Sequence, residues 1–328
     1  MQISIGYSGS TPLPQTIDAV VSAENAGLFG VWSAEHVGMN DGIVPSTVYA
    51  ERTKNIQIGI TGLNADTRSP GVLAMELSCL SAMAPGRIRI QVGTGSPQRA
   101  AQIGVTGVRK LTGVETLVDS LKRLFRGETV SAQSEAFVLD NMRVSNAGPE
   151  LANIKIDVMA IRPKMTALAA RVSDGLSLSV LSSHQYIRSQ IKLVEEVLDS
   201  AGRDRNDFRV SATVLSSIDP DIEAARAGMA RTLAAFPPGL PEMLEGLDVP
   251  DADALLEARK TGGPEKAAEL YSVETIEGLG LVATPDSLAD SLEGYKADGV
   301  DELVVMLGKS PESDLNLVRA LSTHSANV

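Results

Sequence analysis

Short apolar runs alternate with longer helical patterns along almost the whole chain. The alternation is clearest between residues 55 and 97, where strand-like runs at 56–60 and 88–92 flank an apolar helical pattern at 70–83. Two strands joined by one helix form a βαβ unit, which makes the strands parallel. Both strands end in small or polar residues, and parallel α/β folds bind ligands at the carboxyl ends of their strands. The segment therefore predicts an architecture and the position of a site.

The same alternation predicts eight strands with connecting helices. We expect strands at residues 2–7, 28–33, 56–60, 88–92, 154–160, 175–181, 208–215 and 302–307. We expect helices at residues 13–26, 44–52, 70–83, 113–126, 164–172, 184–200 and 314–322. A further helix is expected to begin with Thr284 as N-cap and Pro285 as its first residue, and to end at Gly299. This order favours an α/β fold of the closed (β/α)8 TIM barrel type over an open doubly wound sheet.

Two segments interrupt the pattern. Short alternating pieces at residues 128–146 predict a hairpin insertion after the fourth helix. Helical patterns mixed with Pro- and Gly-rich pieces at residues 219–278 predict a helical insertion before the eighth strand, with a small separate domain as the alternative. We expect residues 1–328 to form a single TIM-barrel domain that carries both insertions.

Composition and charge narrow the range of partners. The formal net charge of −12 makes nucleic acid and anionic membranes poor partners. The chain has no signal-peptide pattern and no apolar run near 20 residues, so we expect no membrane span and a cytoplasmic protein with a small-molecule substrate. The single cysteine, Cys79, excludes an intramolecular disulfide and is predicted to be a buried structural thiol rather than a nucleophile.

A histidine beside a carboxylate follows the second strand. At a strand's carboxyl end, His36 could act as a general base or donate to a cofactor carbonyl, and Glu35 is a weaker candidate. The alternative is an ordinary loop pair. The other two histidines, His184 and His324, lie at a predicted helix start and near the C-terminus. His36 is therefore the predicted catalytic residue.

A basic pair opens the helix after the fifth strand. The free N–H groups and the dipole of a helix N-terminus favour an anion, and Arg162 and Lys164 add charge that suits a phosphate. Serine hydroxyls after the sixth strand could add donors; the alternative is a capped surface turn. The residues of this predicted anion site are Ile161, Arg162, Pro163, Lys164, Ser179 and Ser182.

Other motifs carry less information. The Gly93-Thr94-Gly95 run indicates only that the backbone approaches something closely, because it lacks the GxGxxG spacing. Metal binding is poorly supported, since the chain has neither an HExxH motif nor a zinc-type Cys–His spacing. There is also no GxSxG elbow of a serine hydrolase.

Five segments in register carry a resemblance to a known family. They are AENAGLFGVWSAEH, GITGLNADTRSP, APGRIRIQVGTG, RPKMTALAARVSDG and ATPDSLADSLEGYKADGVDELVV. Together the chain resembles the bacterial luciferase-like flavin and deazaflavin oxidoreductases, and within them the methylenetetrahydromethanopterin reductase branch, which uses coenzyme F420. The resemblance implies hydride transfer between F420 and a small organic substrate. An FMN-dependent monooxygenase and a non-catalytic ligand-binding paralogue are the alternatives.

The resemblance also implies roles for particular residues. It places a cis peptide at Gly62–Leu63, so that Gly62, Leu63 and Asn64 support the ring of the cofactor. Gly93 and Thr94 match the backbone under the ring. His36 matches a position beside the ring, and residues 161–164 match the turn that holds the phosphate of the cofactor tail.

The chain departs from the branch at two positions and matches it in one further respect. Gly6 and Ser96 stand where methanopterin reductases carry acids, which argues against a pterin substrate, and Ser96 also argues against sugar-phosphate oxidation. The family often dimerises through helices beside strands two to four, and the low-charge helix at 71–83 could contribute to a homodimer.

Overall fold

The computed structural model describes residues 1–64, 66–105, 111–145, 147–236 and 239–325. Within them the eight predicted strands occur in the predicted order, a hairpin lies at residues 130–142 inside the predicted insertion, and one further strand lies at residues 280–283. The strands are β1 (Gln2–Tyr7), β2 (Gly30–Ala34), β3 (Gln57–Asn64), β4 (Ile88–Gly93), β5 (Val130–Gln133), β6 (Val138–Met142), β7 (Lys155–Met159), β8 (Gly175–Leu178), β9 (Arg209–Ile218), β10 (Gly280–Ala283) and β11 (Glu302–Met306).

Eight of these strands close on themselves. The neighbours run β1, β2, β3, β4, β7, β8, β9 and β11, and β11 pairs with β1 to complete the ring. Every pairing in the ring is parallel, because each strand returns to the same end of the barrel through a crossover segment. The predicted TIM barrel is confirmed.

Helices cover the outside of the barrel. They are α1 (Leu13–Asn25), α2 (Ile43–Arg52), α3 (Pro70–Met83), α4 (Pro97–Ala101), α5 (Leu111–Phe125), α6 (Pro163–Val172), α7 (His184–Ser200), α8 (Ile222–Ala235), α9 (Ala252–Ala268), α10 (Val273–Gly278), α11 (Leu288–Ala297) and α12 (Pro311–Ser325). The predicted start at Thr284 is wrong: α11 begins at Leu288. Thr284 and Ser287 instead close a turn, in which the Thr284 N–H donates to Ser287 Oγ (2.9 Å).

The interruptions of the barrel pattern contain their own structure. Strands β5 and β6 form an antiparallel hairpin between α5 and β7; residue 146 lies outside the described part. Between β9 and β11 lie α8, α9, α10 and the short strand β10, with residues 237–238 outside the described part. The sequence pattern did not predict β10. It pairs in parallel with the last four residues of β9, Leu215–Ile218, beyond the part of β9 that pairs with β8 and β11.

Polar side chains fill the barrel interior near the end at which the strands begin. The buried Glu302 carboxylate accepts hydrogen bonds from Ser4 Oγ (2.6 Å), Trp32 Nε1 (2.7 Å) and Arg209 Nη1 (3.1 Å). A Cβ at Gly59 would lie 2.1 Å from the Trp32 ring, so glycine makes the space for the indole. These contacts join β1, β2, β9 and β11 from the inside.

A second buried ion pair joins β4 to β7. Arg89 Nε donates to Asp157 Oδ2 (2.6 Å), Nη2 donates to Oδ1, and Nη2 also donates to the carbonyl of Asp174 (3.1 Å). The Asp157 side chain is fully buried and that of Arg89 is 10% exposed. Gly175 allows this approach, since a Cβ there would lie 2.4 Å from Asp157 Oδ1. The end of the barrel at which the strands begin is therefore held together by ionic contacts.

Helix α3 exposes an apolar stripe. Leu73, Leu77 and Leu80 pack into the core, whereas an outward-facing row spaced by three or four residues stays exposed. We define the α3 stripe as Val72, Met75, Cys79 and Met83. The prediction that Cys79 is buried is therefore wrong, because a helix that is apolar on every side does not reveal which side faces the core. No described helix is both long and apolar enough to cross a lipid bilayer.

Candidate active site

The opening at the carboxyl ends of the barrel strands, which we call the mouth, is shaped by a bulge in β3. The β3–β4 register moves from Ile60 opposite Ile90 to Leu63 opposite Val92, so β3 carries one extra residue. Gly62 lies in this bulge with a φ of +85°. A Cβ there would lie 2.4 Å from the Glu35 carbonyl oxygen, so the bulge brings β3 close to the end of β2.

The Gly62–Leu63 peptide bond is trans, so the expectation of a cis bond is wrong. The physical reason lies in the backbone of Gly62, which adopts the left-handed region open to glycine. That conformation accommodates the additional residue of β3 with a trans bond. Gly62, Leu63 and Asn64 thus lie at the mouth in a β-bulge whose peptide bonds are trans.

Asn64 connects two glycine turns at the mouth. Its Nδ2 donates to the Gly62 carbonyl (2.8 Å), and Asn64 pairs in register with Gly93 on β4. A Cβ at Gly95, whose φ is +62°, would lie 2.4 Å from Asn64 Nδ2. The Asn64 Oδ1 atom is buried and has no hydrogen-bond partner in the described structure. An acceptor without a partner is therefore present beside Gly93 and Thr94.

Thr61 and Met159 form the base of the mouth between β3 and β7. Thr61 Oγ1 lies 3.3 Å from Met159 Sδ, and a Cβ at Gly93 would lie 2.9 Å from Met159 Cε. The base is consequently built from a glycine, a threonine and a polarizable thioether. Sequence analysis missed both side chains. The two-residue alternation from the inward-facing Gly59 and Asp157 could have identified them.

His36 is held in one tautomer at the end of β2. The Gly9 N–H donates to His36 Nδ1 (3.1 Å), so in the neutral ring the proton is carried by Nε2. Burial, and then the nearby Arg99 guanidinium, lower the pKa of His36, and Glu35 opposes them. His36 is therefore a neutral imidazole at pH 7 with an Nε2–H donor.

The neighbouring Glu35 has a structural partner. Arg68 Nη2 donates to Glu35 Oε2 (2.6 Å) and Arg68 Nη1 donates to Glu76 Oε1 (2.6 Å). The Glu35 side chain is 9% exposed. This ion-paired chain fixes the loop after β3 against β2, which explains Glu35 without a catalytic role.

The predicted anion site lies at the ends of β7 and β8. Residues Ile161 to Lys164 form the turn into α6, whose N-cap, Arg162, makes no side-chain cap hydrogen bond. Tyr186 Oη donates to the Ile161 carbonyl (2.6 Å) and fixes the turn to α7. Arg162 Nε lies 3.4 Å from Glu242 Oε1 of the segment after β9, a contact that the sequence did not predict.

The remaining residues of the predicted anion site differ in whether their side chains are free to bind an anion. Lys164 is exposed in the first turn of α6, after Pro163, and has no ion-pair partner in the described part of the chain. Ser182 Oγ donates to the Ser179 carbonyl (2.8 Å), so this hydroxyl stabilises the turn after β8. Ser179 is exposed. The structure thus brings two basic residues and two serines to adjacent strand ends, with one of the two cations already paired.

The two departures from the reductase pattern have visible structural causes. A Cβ at Gly6 would lie 2.9 Å from Val304 Cγ1 and 3.0 Å from Met306 Sδ, so apolar side chains occupy the space beside it. Ser96 is the N-cap of α4 and accepts from the Arg99 N–H (3.4 Å). Neither position supplies an acid to the mouth.

Comparison with known proteins assigns the barrel to a class of oxidoreductases. The chain is 25% identical over 311 residues to the 5,10-methylenetetrahydromethanopterin reductase of Archaeoglobus fulgidus, covering 90% of this chain and 91% of that one. It is 25% identical over 323 residues to the F420-dependent glucose-6-phosphate dehydrogenase of Mycolicibacterium fortuitum, covering 92% and 91%. The solved coenzyme F420-dependent tetrahydromethanopterin reductase of Methanopyrus kandleri has the same fold, with a TM-score of 0.86, 21% identity and coverage of 97% and 96%.

The family model for luciferase-like monooxygenases matches residues 2–302. The chain belongs to the luciferase-like monooxygenase family, and the resemblance seen in the sequence is confirmed. The match spans β1 to the first residue of β11 and includes the mouth.

Proposed function

We propose that the protein is a coenzyme F420-dependent oxidoreductase that transfers a hydride between the deazaflavin and a small organic substrate. The observation that carries the proposal is the family match over residues 2–302. Two relatives with similar coverage are themselves named for F420 or for methylenetetrahydromethanopterin reduction, which favours F420 over FMN. When bound, the deazaflavin supplies two-electron chemistry, in which a hydride moves between a ring carbon and a substrate carbon.

The mouth fits a flat ring with hydrogen-bonding edges. The glycines at positions 62, 93 and 95 let the backbone approach closely, and Met159 provides a soft apolar surface. The unpartnered Asn64 Oδ1 can accept from an N–H group at the edge of the ring. In this proposal Gly62, Leu63, Asn64, Gly93 and Thr94 hold the ring.

His36 would serve as a donor at the mouth. Because Nδ1 accepts from Gly9, the Nε2–H is the group that can bind a carbonyl oxygen of the ring or of the substrate. The lowered pKa of His36 keeps the imidazole neutral, so the ring donates without adding a charge. This is the proposed catalytic role of His36.

The turn into α6 would hold the tail phosphate. Backbone N–H groups at the first turn of a helix bind anions, and Lys164 adds a positive charge. Ile161 and Pro163 shape the turn, the exposed Ser179 supplies a hydroxyl group from the adjacent strand end, and Ser182 fixes that strand end through its hydrogen bond to the Ser179 carbonyl. Arg162 contributes less charge, since Glu242 lies within ion-pair distance of it.

Fluorescence titration of the apoprotein with F420 and with FMN tests the cofactor. We expect F420 to bind at least about tenfold more tightly than FMN, a difference of about 1.4 kcal/mol. We also expect Lys164→Met to weaken F420 binding about tenfold to a hundredfold, because a hydrogen bond to a charged group contributes about 1.5–3 kcal/mol. Arg162→Met should have a smaller effect.

The matched control is Lys192→Met on α7, where the lysine is exposed and distant in sequence from the turn. It should bind F420 as the unaltered protein does. Tight binding of FMN without F420 binding would contradict the assignment and favour the monooxygenase alternative. Absence of both would favour a non-catalytic paralogue.

We also propose that the α3 stripe forms a homodimer contact. Val72 and Met75 are 48% and 54% exposed, and Val44 on the adjoining α2 is 57% exposed. Large apolar side chains grouped on one surface favour association. Met75→Asp should convert a dimer to a monomer in size-exclusion chromatography with light scattering. Leu256→Asp on α9 is the control; if both variants keep the same mass as the unaltered protein, the stripe is not the interface.

A further inference from the structure

A cleft lies beside the mouth, outside the residues assigned to the cofactor. Its volume is about 510 Å³, within the usual range for small-molecule sites. Residues 216–220 at the end of β9 form one wall, and α12 together with the loop after β11 forms the other. Met306 belongs both to the cleft and to the mouth, because its Sδ lies 3.0 Å from the Cβ position of Gly6. The cleft therefore reaches the mouth on its β1–β11 side.

Lys309 supplies the positive charge of the cleft. Its Nζ donates to the Ser216 carbonyl (3.0 Å), which leaves two further N–H donors. No described carboxylate lies within ion-pair distance of Nζ. Removal from water, and then the nearby Arg231, lower the pKa of Lys309, while Asp314 opposes them. The Lys309 ammonium thus lies in the cleft with Asp314 as a nearby charge but with no direct ion pair among the described residues.

The loop that carries Lys309 is fixed at the two residues before it. The Leu307 N–H donates to the Gly6 carbonyl (2.8 Å), and the Gly308 N–H donates to the buried Asp314 (2.9 Å). Since Asp314 is engaged in this contact, its carboxylate belongs to the support of the loop. The position of the Lys309 backbone is therefore set before any ligand binds.

The two other acids of the cleft face different surroundings. Asp219 accepts from the Asp221 N–H (2.9 Å) within its own turn, and Glu312 is exposed on the first turn of α12. Asp219 is half-buried and already accepts that N–H, and the exposed charge of Glu312 is screened by water and salt more than a cation that is held against a carbonyl. The cleft accordingly favours a ligand with one anionic end and an uncharged body that lies along Met306.

We propose that this cleft binds the substrate, that the substrate is a small carboxylic acid, and that its carboxylate lies on Lys309. The inference rests on the proposed function, because it places the uncharged end of the acid toward the mouth. It gives Lys309 the part of a substrate-binding residue and leaves the cofactor phosphate to the turn at residues 161–164.

Binding of matched six-carbon probes tests the inference without turnover. Hexanoate, hexanamide and hexylamine are titrated into the protein and followed by ligand-detected saturation-transfer NMR. We expect hexanoate to bind at least about tenfold more tightly than the amide or the amine, because only the carboxylate makes a charge-assisted bond to Lys309. Lys309→Met should lose about tenfold in hexanoate affinity, whereas Lys309→Arg, which keeps the charge, should lose less than about threefold.

Three controls separate the possible outcomes. Lys192→Met should bind hexanoate normally, and the thermal midpoint of each variant shows that it is folded. Lys309→Met should retain its F420 affinity; loss of that affinity would instead assign Lys309 to the cofactor. Preferential binding of hexylamine, or equal hexanoate affinity in Lys309→Met, would overturn the inference. A failure of F420 to bind, with the Lys309-dependent preference for hexanoate intact, would overturn the cofactor assignment and support the carboxylate site.

Discussion

Asp157→Asn is expected to destabilise the barrel by about 3–5 kcal/mol, because it leaves the Arg89 guanidinium buried without its counter-charge. Arg89 makes two hydrogen bonds to Asp157 and one to the Asp174 carbonyl, and little of either side chain reaches water. Asparagine has nearly the same shape as aspartate, so the loss reports the charge and not a cavity. Urea unfolding, followed by circular dichroism, measures the change.

The double variant Arg89→Gln/Asp157→Asn is the matched control. It removes both charges and keeps side chains that can hydrogen-bond to one another, so we expect it to recover at least half of the lost stability. If Asp157→Asn costs less than about 1 kcal/mol, water reaches the pair and the interior is not sealed. The result bears on function, since this ion pair fixes β4 and β7, which carry Gly93 and Met159 at their other ends.

Gly62→Ala is expected to lower F420 affinity at least about tenfold. It is also expected to destabilise the protein by more than the roughly 1–2 kcal/mol that a left-handed backbone alone costs an alanine. The new Cβ would lie 2.4 Å from the Glu35 carbonyl oxygen, so β3 must move away from β2. That movement displaces Asn64, which lies two residues further on. Fluorescence titration and urea unfolding measure the two effects.

Gly86→Ala separates backbone strain from the steric clash. Gly86 has a similar φ of +72°, but a Cβ there would meet nothing within 4 Å. It should show only the backbone cost and bind F420 normally. If the two alanine variants bind F420 equally, the close approach of β3 to β2 does not shape the cofactor site.

Much of the fold could be predicted because its signals are local. The bounds predicted for the helix at residues 70–83 agree with those of α3, and the predicted helix at residues 184–200 agrees with α7. Each has a Pro or a capping Ser at its start, and such residues act within one turn. The start of α11 was wrong because Thr284 and Ser287 bond to each other, and that local alternative competes with a helix N-cap.

The site could be predicted less well because its geometry depends on distant contacts. His36 follows a strand, so its place at the mouth was predictable, but its tautomer depends on Gly9, which lies 27 residues earlier. The pairing of Arg162 with Glu242 spans 80 residues and changes which cation is available. The trans bond at Gly62–Leu63 reflects a backbone preference that a family resemblance does not determine.

Strand β9 serves two sheets in succession. Its first half belongs to the barrel wall, and Leu215–Ile218 form a ladder with β10. The end of β9, the loop after β11 and α12 line the Lys309 cleft, and none of them belongs to the β3 bulge or to the turn into α6. Substitutions on this side can therefore reshape the cleft without altering the bulge or the turn. A barrel of this kind can therefore change its substrate through substitutions on one side and keep the residues that are proposed to hold the cofactor.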